Sequence, residues 1–471
     1  MIKSKITFKN IGNIEEEEIL LKPFTVIVGK NNTGKTLLSN ALFFLHSKNI
    51  KQLIKQLIKD STNEIDGKTP FVKAKNLIKI VLIKLSEYPI YNDIYKSDKF
   101  NDSHISFNYK EFENFDKDFD LYKAIKIFFD DNPMILKLLE GAAQLKSKKM
   151  PKFIKSDSLH EQNKNLIEFL NAIFENETDI AIIIAENVLN NNFCTNREAY
   201  IFPVERAGIN TFFFDVTREI NASNVSLENY LNLLNDLKTI DYQSKSDYYE
   251  IACRLENELF SGTIELKENS SGNSKKVIFT DINKNEIDSS FFSSSINELS
   301  TLILYLKHKA TKGDLVFIDE PELSLHPDAQ RILVKYLTIL NNEGVKFILI
   351  THSDYIIKEI SHTISLGMKK KQFENEEEFI NLIYENNLDA YLTEINGKKY
   401  FAGLENKSIL YSLNQDSITM KTVLESVQAN SLGFDEKIFN KVINNTNDMS
   451  NRIASFVLGE DDIEDDIFLN L

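Results

Sequence analysis

Residues 24–37 of this chain read FTVIVGKNNTGKTL. The first six residues are an apolar run that predicts a buried strand, and the residues from Lys35 onward predict a helix. Between the two, Gly29 to Thr36 fits the pattern G-x-x-x-x-G-K-[ST], which is typical of a phosphate-binding loop when it joins a strand to a helix. The stretch therefore predicts an α/β fold with a P-loop nucleotide site.

The residue types in this loop predict how it binds a nucleotide. Successive backbone N–H groups and the helix N-terminus attract phosphate oxygens. We expect Lys35 to reach the β- and γ-phosphates of ATP, where it also assists catalysis, and the hydroxyl of Thr36 to ligate Mg²⁺. The residues expected to contact ATP are Gly29, Asn31, Asn32, Thr33, Gly34, Lys35, Thr36 and Leu37.

A second motif, LVFIDEP at residues 315–321, places two carboxylates after four apolar residues. Ligands of open α/β sheets bind at the carboxyl ends of the strands, where this pair is expected to lie. Asp319 is predicted to hold Mg²⁺, as a Walker B aspartate does, and Glu320 to act as the catalytic base that polarises the attacking water. His352 ends the next predicted strand, and we expect it beside the γ-phosphate if that strand neighbours the phosphate-loop strand.

A third motif, FSSSINEL at residues 292–299, precedes a predicted helix. Small hydroxyl residues at a helix N-terminus can bind an anion. They can also cap the helix through their side-chain oxygens. The sequence is compatible with both interpretations.

Composition limits the classes of function. The formal net charge of −15 argues against a general polyanion binder. Two cysteines are too few for a disulfide framework or a four-ligand zinc site. The apolar runs are shorter than the ~20 residues of a membrane span, and the first ten residues, MIKSKITFKN, lack the apolar core of a secretion signal. We therefore expect a cytoplasmic protein without membrane contact.

The pattern along the chain predicts four segments of an α/β protein. Residues 1–46 are predicted to form the first part of a nucleotide-binding ATPase head, which carries the phosphate loop. Residues 47–255 are predicted to form a long, mainly helical insertion into this head. Residues 256–362 form the second part of the head, in which a β-meander starting near residue 262 precedes the serine, acidic and histidine motifs. Residues 363–471 form a mixed α/β C-terminal region with an acidic tail.

Taken together, these motifs resemble a known group of proteins. The phosphate loop and the run from Ser293 to Ile360 are similar to the ABC-type ATPase heads of the RecF/SMC/OLD group. Within that group the chain is most similar to stand-alone ATPases of bacterial anti-phage systems, such as the ATPase subunits of Septu and PARIS. The resemblance is carried by DEPE at residues 319–322, LHP at 325–327 and THS at 351–353, with a looser match to a P-x-E-R element at 203–206.

The resemblance implies two heads that face each other in a homodimer or a higher homo-oligomer, with ATP sandwiched between them. Each ATP would contact the phosphate loop of one subunit and, in trans, Ser293, Ser294 and Ser295 of the other. Residues 325–330 would cross the dimer seam, and His352 would be a switch histidine. The family usually carries a glycine where Ser295 stands, and its glutamine loop has no assigned position here. Arg206 has two interpretations, near the site or paired within the insertion.

The hypothesis that the resemblance favours is an ATP-hydrolysing switch in anti-phage defence that controls a partner effector, a nuclease from the same operon. The alternatives are a self-contained OLD-like ATP-dependent DNA endonuclease and a RecF-like DNA-repair ATPase. A nuclease of the first kind needs a D-x-D pair that holds two metals, and the internal pair Asp118 and Asp120 lies in a segment predicted as a helix. We therefore predict no nuclease activity in this chain. Contact with DNA stays open, with the lysine-rich residues 146–155 and 369–371 as candidates.

Overall fold

The structure is a computed structural model that describes much of the chain. The described residues are 6–30, 32–64, 66–67, 69–96, 103–107, 181–182, 184–186, 188–189, 198–213, 222–241, 243–268, 275–404, 408–415 and 422–428. Several features named above lie outside these ranges: Asn31, Asp118, Asp120, residues 146–155 and the acidic tail.

The described ranges contain the fourteen strands and eleven α-helices given below, besides the helical residues 181–182, 184–186 and 188–189. The strands are β1 (Ile6–Ile11), β2 (Ile14–Ile19), β3 (Phe24–Gly29), β4 (His104–Phe107), β5 (Ala199–Phe202), β6 (Gly262–Glu268), β7 (Lys275–Asp281), β8 (Glu286–Asp288), β9 (Leu315–Asp319), β10 (Lys346–Thr351), β11 (Leu392–Ile395), β12 (Lys398–Phe401), β13 (Ser408–Gln415) and β14 (Thr422–Gln428). The helices are α1 (Lys35–Phe44), α2 (Lys48–Ser61), α3 (Pro70–Glu87), α4 (Ile90–Tyr95), α5 (Arg206–Phe213), α6 (Val225–Thr239), α7 (Tyr249–Phe260), α8 (Ser294–His308), α9 (Pro327–Asn342), α10 (Asp354–Lys370) and α11 (Glu376–Glu385). Among these helices, none has the length and apolar character that crossing a bilayer requires.

Nine strands form one mixed sheet in the order β4-β1-β2-β14-β13-β3-β10-β9-β5. The five neighbouring strands from β13 to β5 run parallel to one another. Parallel strands are covered on both faces and read as continuous apolar runs, and accordingly every residue of β9 and all but the last of β3 are buried. Because their carboxyl ends meet at one edge of the sheet, the residues that follow β3, β9 and β10 lie close together.

Two apolar clusters cover the two faces of this sheet. Ile27 of β3 and Phe317 of β9 pack with α1 to α4 on one face, whereas Val26 and Val316 pack with α6 to α10 on the other. Successive side chains of a strand point to opposite faces, which divides each apolar run between the two clusters. The predicted α/β class is confirmed by this arrangement.

The predicted β-meander is also confirmed. Strands β6, β7 and β8 form a separate antiparallel sheet. A buried ion pair joins this meander to the head, because Lys307 Nζ lies 2.6 Å from the Glu256 carboxylate and both side chains bond to the backbone of Ile264. Removing either member would leave an uncompensated buried charge.

The segment predicted as a helical insertion contributes both helices and strands. Helices α2 to α6 lie within it, and so do β4 and β5. Both strands belong to the central sheet, where β4 pairs with β1 at one edge and β5 pairs with β9 at the other. This segment therefore contributes to the sheet of the head itself, and its proposed boundaries stay a prediction.

A strand from the C-terminal region lies next to the phosphate-loop strand. β13 pairs in parallel with β3, so that Leu413 lies opposite Gly29. The residue pattern of this segment does not predict a strand of the central sheet, because the place of such a segment depends on long-range pairing. The approach is close, since a β-carbon on Gly29 would lie 2.8 Å from the carbonyl oxygen of Leu413.

Candidate functional site

The phosphate loop joins β3 to α1 as predicted. β3 ends at Gly29, and α1 begins at Lys35. Asn32 and Gly34 adopt positive φ angles of 64° and 89°, a region in which glycine is unstrained and asparagine is better tolerated than most residues. The loop therefore turns sharply enough to direct the N-terminus of α1 toward the carboxyl edge of the sheet.

Lys35 lies inside this loop. Its ammonium group donates hydrogen bonds to the carbonyl oxygens of Gly29, at 2.7 Å, and Lys30, at 2.9 Å. Burial lowers the pKa of Lys35, and the nearby carboxylates of Glu320, Asp319 and Glu322 oppose that shift. A buried cation held by two loop carbonyls is available to exchange them for phosphate oxygens, which are stronger acceptors.

The predicted magnesium ligands meet at the edge of the sheet. β10 lies between β3 and β9, and across this gap the Thr36 side chain hydrogen-bonds to the Asp319 carboxylate. Burial raises the pKa of Asp319 to about 6, although the neighbouring Arg206 acts in the opposite direction. A carboxylate and a hydroxyl are the hard oxygen donors that Mg²⁺ prefers, so these two residues fit the cation that the sequence predicts.

Glu320 follows Asp319 in a strained backbone conformation. Its φ is 48°, and its amide donates a 2.8 Å hydrogen bond to the carbonyl oxygen of Ile350 on β10. The Glu320 carboxylate pairs with Nδ1 of His352. Burial raises the pKa of Glu320 to about 8, and a hydrogen bond with Glu322 adds to the shift.

Glu322 is a site residue to which the sequence analysis gave no role of its own. Its Oε1 accepts hydrogen bonds from the Thr351 hydroxyl, at 2.7 Å, and from the backbone N–H of His352, at 2.8 Å. Among the described residues, one group of three potential metal-ligating side chains has ligand atoms that all lie within 4.8 Å of one another. This group consists of Glu320, Glu322 and His352. The signal for this role in the sequence was the position of Glu322 as the second glutamate of the DEPE motif.

The serine loop caps a helix. Ser293 is the N-cap of α8, where its hydroxyl accepts from the backbone N–H of Ile296 and lies 3.1 Å from the hydroxyl of Ser295. The capping interpretation is confirmed by this geometry. Ser293 and Ser294 are exposed, and the contact of Ser293, Ser294 and Ser295 with a second subunit's ATP stays a prediction.

The loop of residues 325–330, which is predicted to cross a dimer seam, is hydrogen-bonded to the histidine motif. Gln330 is buried, and its amide donates a 3.1 Å hydrogen bond to the carbonyl oxygen of Leu325. The amide oxygen of Gln330 accepts a 2.6 Å bond from the hydroxyl of Ser353, next to His352. A movement of this loop would therefore reach His352, which is predicted to lie beside the γ-phosphate.

A family model described as AAA ATPase domain matches residues 1–357 of this chain. The chain belongs to this family. The predicted P-loop ATPase head is thereby confirmed, whereas the narrower assignment to anti-phage ATPases stays a prediction. No curated protein matches the sequence of this AAA ATPase.

Solved structures of SMC head domains match this AAA ATPase at low similarity. An SMC head bound to the C-winged helix domain of ScpA is 9% identical with a TM-score of 0.36, over 91% of this chain and 98% of that chain. An SMC head with an extended coiled coil bound to the C-terminal domain of ScpA, derived from Pyrococcus furiosus, is 10% identical with a TM-score of 0.34, over 95% of this chain and 99% of that chain. The SMC head domain from Thermotoga maritima is 10% identical with a TM-score of 0.32, over 91% of this chain and 100% of that chain. Similarity at this level is too low to transfer residue roles.

In this AAA ATPase, Arg206 lies beside the nucleotide site. Its side chain is 1% exposed and donates hydrogen bonds to the carbonyl oxygens of Asp319 and Glu320. Of the two interpretations offered by the sequence, the one that places Arg206 near the site is therefore correct. Its partners are mainly backbone oxygens, which is why no pattern of side chains indicated the contact.

Proposed function

We propose that this protein binds and hydrolyses ATP, closes into a nucleotide-sandwich dimer, and in this way controls a partner effector, a nuclease of an anti-phage system. One observation carries the catalytic part of this proposal, namely the convergence of five predicted residues at one edge of the sheet. These residues are Lys35, Thr36, Asp319, Glu320 and His352. The role in defence rests on the resemblance of the DEPE, LHP and THS motifs to anti-phage ATPases.

The positions of these side chains support a division of labour. The loop N–H groups and Lys35 bind and orient the phosphates, while Thr36 and Asp319 would hold Mg²⁺, which when bound neutralises charge on the β- and γ-phosphates. Glu320 accepts the proton of the attacking water. His352 holds the Glu320 carboxylate in place, and Glu322 fixes His352 through its backbone N–H.

The raised pKa of Glu320 predicts a pH dependence. A carboxyl group with a pKa of about 8 is largely protonated at pH 7 and half ionised at about pH 8, and only the ionised form accepts a proton. We therefore expect kcat/KM for ATP hydrolysis to rise with pH, to reach half its maximum at about pH 8 and to level off above about pH 9. In Glu322→Gln, which removes a neighbouring negative charge, the rise moves to lower pH. A profile that is flat from about pH 6 to 9 would contradict this role for Glu320.

The surface beside the serine loop supports the dimer. Phe291 precedes this loop and is 79% exposed, and a large apolar side chain next to a proposed binding loop is a candidate anchor for a partner. In the sandwich, the second subunit would cover Phe291 while its ATP contacts Ser293 and Ser294.

The dimer is tested by light scattering of the Glu320→Gln variant, which retains ATP. With ATP and Mg²⁺ we expect a dimer or a larger assembly, and with ADP a monomer. Adding Phe291→Ser should weaken ATP-dependent dimerisation at least about tenfold, as the loss of an aromatic anchor does. The matched control is Ile282→Ser at the tip of the meander, which is also 79% exposed and should leave dimerisation unchanged. A folded Glu320→Gln chain that stays monomeric at saturating ATP would refute the sandwich.

A further inference from the structure

We propose that Arg206 makes the two ATP sites of the dimer interdependent, because it ties the backbone of Glu320 to the helix that carries the serine loop. This inference rests on the sandwich dimer proposed above. Within one subunit, Glu320 acts on that subunit's own ATP, whereas the serine loop contacts the ATP of the partner subunit. A rigid link between the two therefore connects one site with the other.

The guanidinium group of Arg206 bridges three segments of the chain. Nη1 donates to the carbonyl oxygens of Pro203, at 3.0 Å, and Asp319, at 2.5 Å. Nη2 donates to the carbonyl oxygen of Glu320 at 2.9 Å. Nε lies 2.9 Å from the carboxylate of Glu298 on α8 and donates to the carbonyl oxygen of the same residue at 3.2 Å.

These contacts require arginine. The guanidinium group has five N–H donors in a planar fork, so that one side chain can bond in several directions at once. A lysine ammonium has three donors at a single point and cannot span the same partners. Because Arg206 and Glu298 are both almost fully buried, the loss of either partner leaves the other charge without compensation.

On the side of the hydrolytic site, Arg206 helps to hold Glu320 in its strained conformation. The carbonyl oxygen of Glu320 accepts from Arg206, and its amide donates to the carbonyl oxygen of Ile350. A non-glycine residue at a φ of 48° persists only where the surrounding contacts determine its conformation. These two bonds therefore orient the carboxylate of Glu320 toward His352.

On the side of the partner's site, α5 and the first turns of α8 are joined as one unit. Asn210 of α5 donates to the carbonyl oxygen of Asn297 at 2.8 Å, and the Asn297 amide donates back to the carbonyl oxygen of Ala207 at 2.9 Å. Glu298 follows directly and bonds to Arg206. Ser293, the N-cap of the same helix, would move with this unit when the partner's ATP engages the serine loop.

The test measures the ATP hydrolysis rate against ATP concentration for the wild-type chain, Arg206→Lys and Glu298→Gln. We expect a Hill coefficient of about 2 for the wild-type chain, the limit for two coupled sites, and of about 1 for both variants. For Arg206→Lys we also expect kcat to fall at least about tenfold, which is the effect of one lost hydrogen bond to a charged group. KM should stay unchanged, because the phosphate loop is intact.

The control is Glu256→Gln. Glu256 forms a buried ion pair with Lys307, which lies at the C-terminal end of α8, far from the serine loop. This variant should lower the melting temperature as much as Glu298→Gln does and keep the wild-type Hill coefficient. If Arg206→Lys does not fold, Glu298→Gln alone decides the result. Folded variants that dimerise with ATP and retain the wild-type Hill coefficient would overturn the inference. If no dimer forms with ATP at all, the sandwich itself is wrong, and the coupling is refuted with it.

Discussion

Lys35→Ala is expected to lower the affinity for ATP at least about a hundredfold, because it removes charge-assisted hydrogen bonds to the phosphates. The ammonium group of Lys35 already lies in the loop, bound to the carbonyl oxygens of Gly29 and Lys30. Its removal also takes one of the cations near Asp319 and Glu320 away, so that the site becomes less favourable for anionic phosphates. Isothermal titration calorimetry with ATP in Mg²⁺ measures the effect.

The matched control for Lys35→Ala is Lys30→Ala. Lys30 belongs to the same loop and carries the same charge, but its side chain is exposed. Long-range charge effects on a polyanion are similar for the two lysines, whereas direct phosphate contact is expected of Lys35 alone. Submicromolar to micromolar binding that survives in a folded Lys35→Ala chain would refute the assignment of the phosphate loop.

Glu320→Gln is expected to reduce the turnover of ATP by about 10² to 10⁴ while ATP binding is retained. Glutamine keeps the shape of the side chain and one acceptor oxygen, but it cannot take a proton from the attacking water. The backbone contacts of residue 320 with Arg206 and Ile350 do not depend on its side chain. Single-turnover phosphate release measures the chemical step separately from nucleotide binding.

Glu385→Gln serves as the control for this variant, since Glu385 is an exposed carboxylate at the end of α11. We expect it to hydrolyse ATP at the wild-type rate. If Glu320→Gln hydrolysed ATP as fast as Glu385→Gln, another group would have to be the base. Glu322 is such a candidate, because its carboxylate lies within 4.8 Å of that of Glu320.

The parts of the fold that sequence predicts well are those with a local physical signal. The strands that carry the site, β3, β9 and β10, are almost entirely buried, so that their apolar runs are unmistakable. The turn at Gly34 needs a left-handed residue, and the glycine at that position makes the motif recognisable. The placement of Lys35, Thr36, Asp319 and Glu320 at strand ends follows from the same local patterns.

The sequence by itself therefore determined the α/β class, the phosphate loop and the acidic pair, because each depends on residues that are neighbours along the chain. Only the tertiary structure placed β13 beside β3. Because β13 approaches so closely, Gly29 has no room for a side chain. It also assigned Glu322 to His352, and Arg206 to the carbonyl oxygens of Asp319 and Glu320. Backbone oxygens are present in every residue, so a contact made to them across more than a hundred positions has no signature in the order of the side chains.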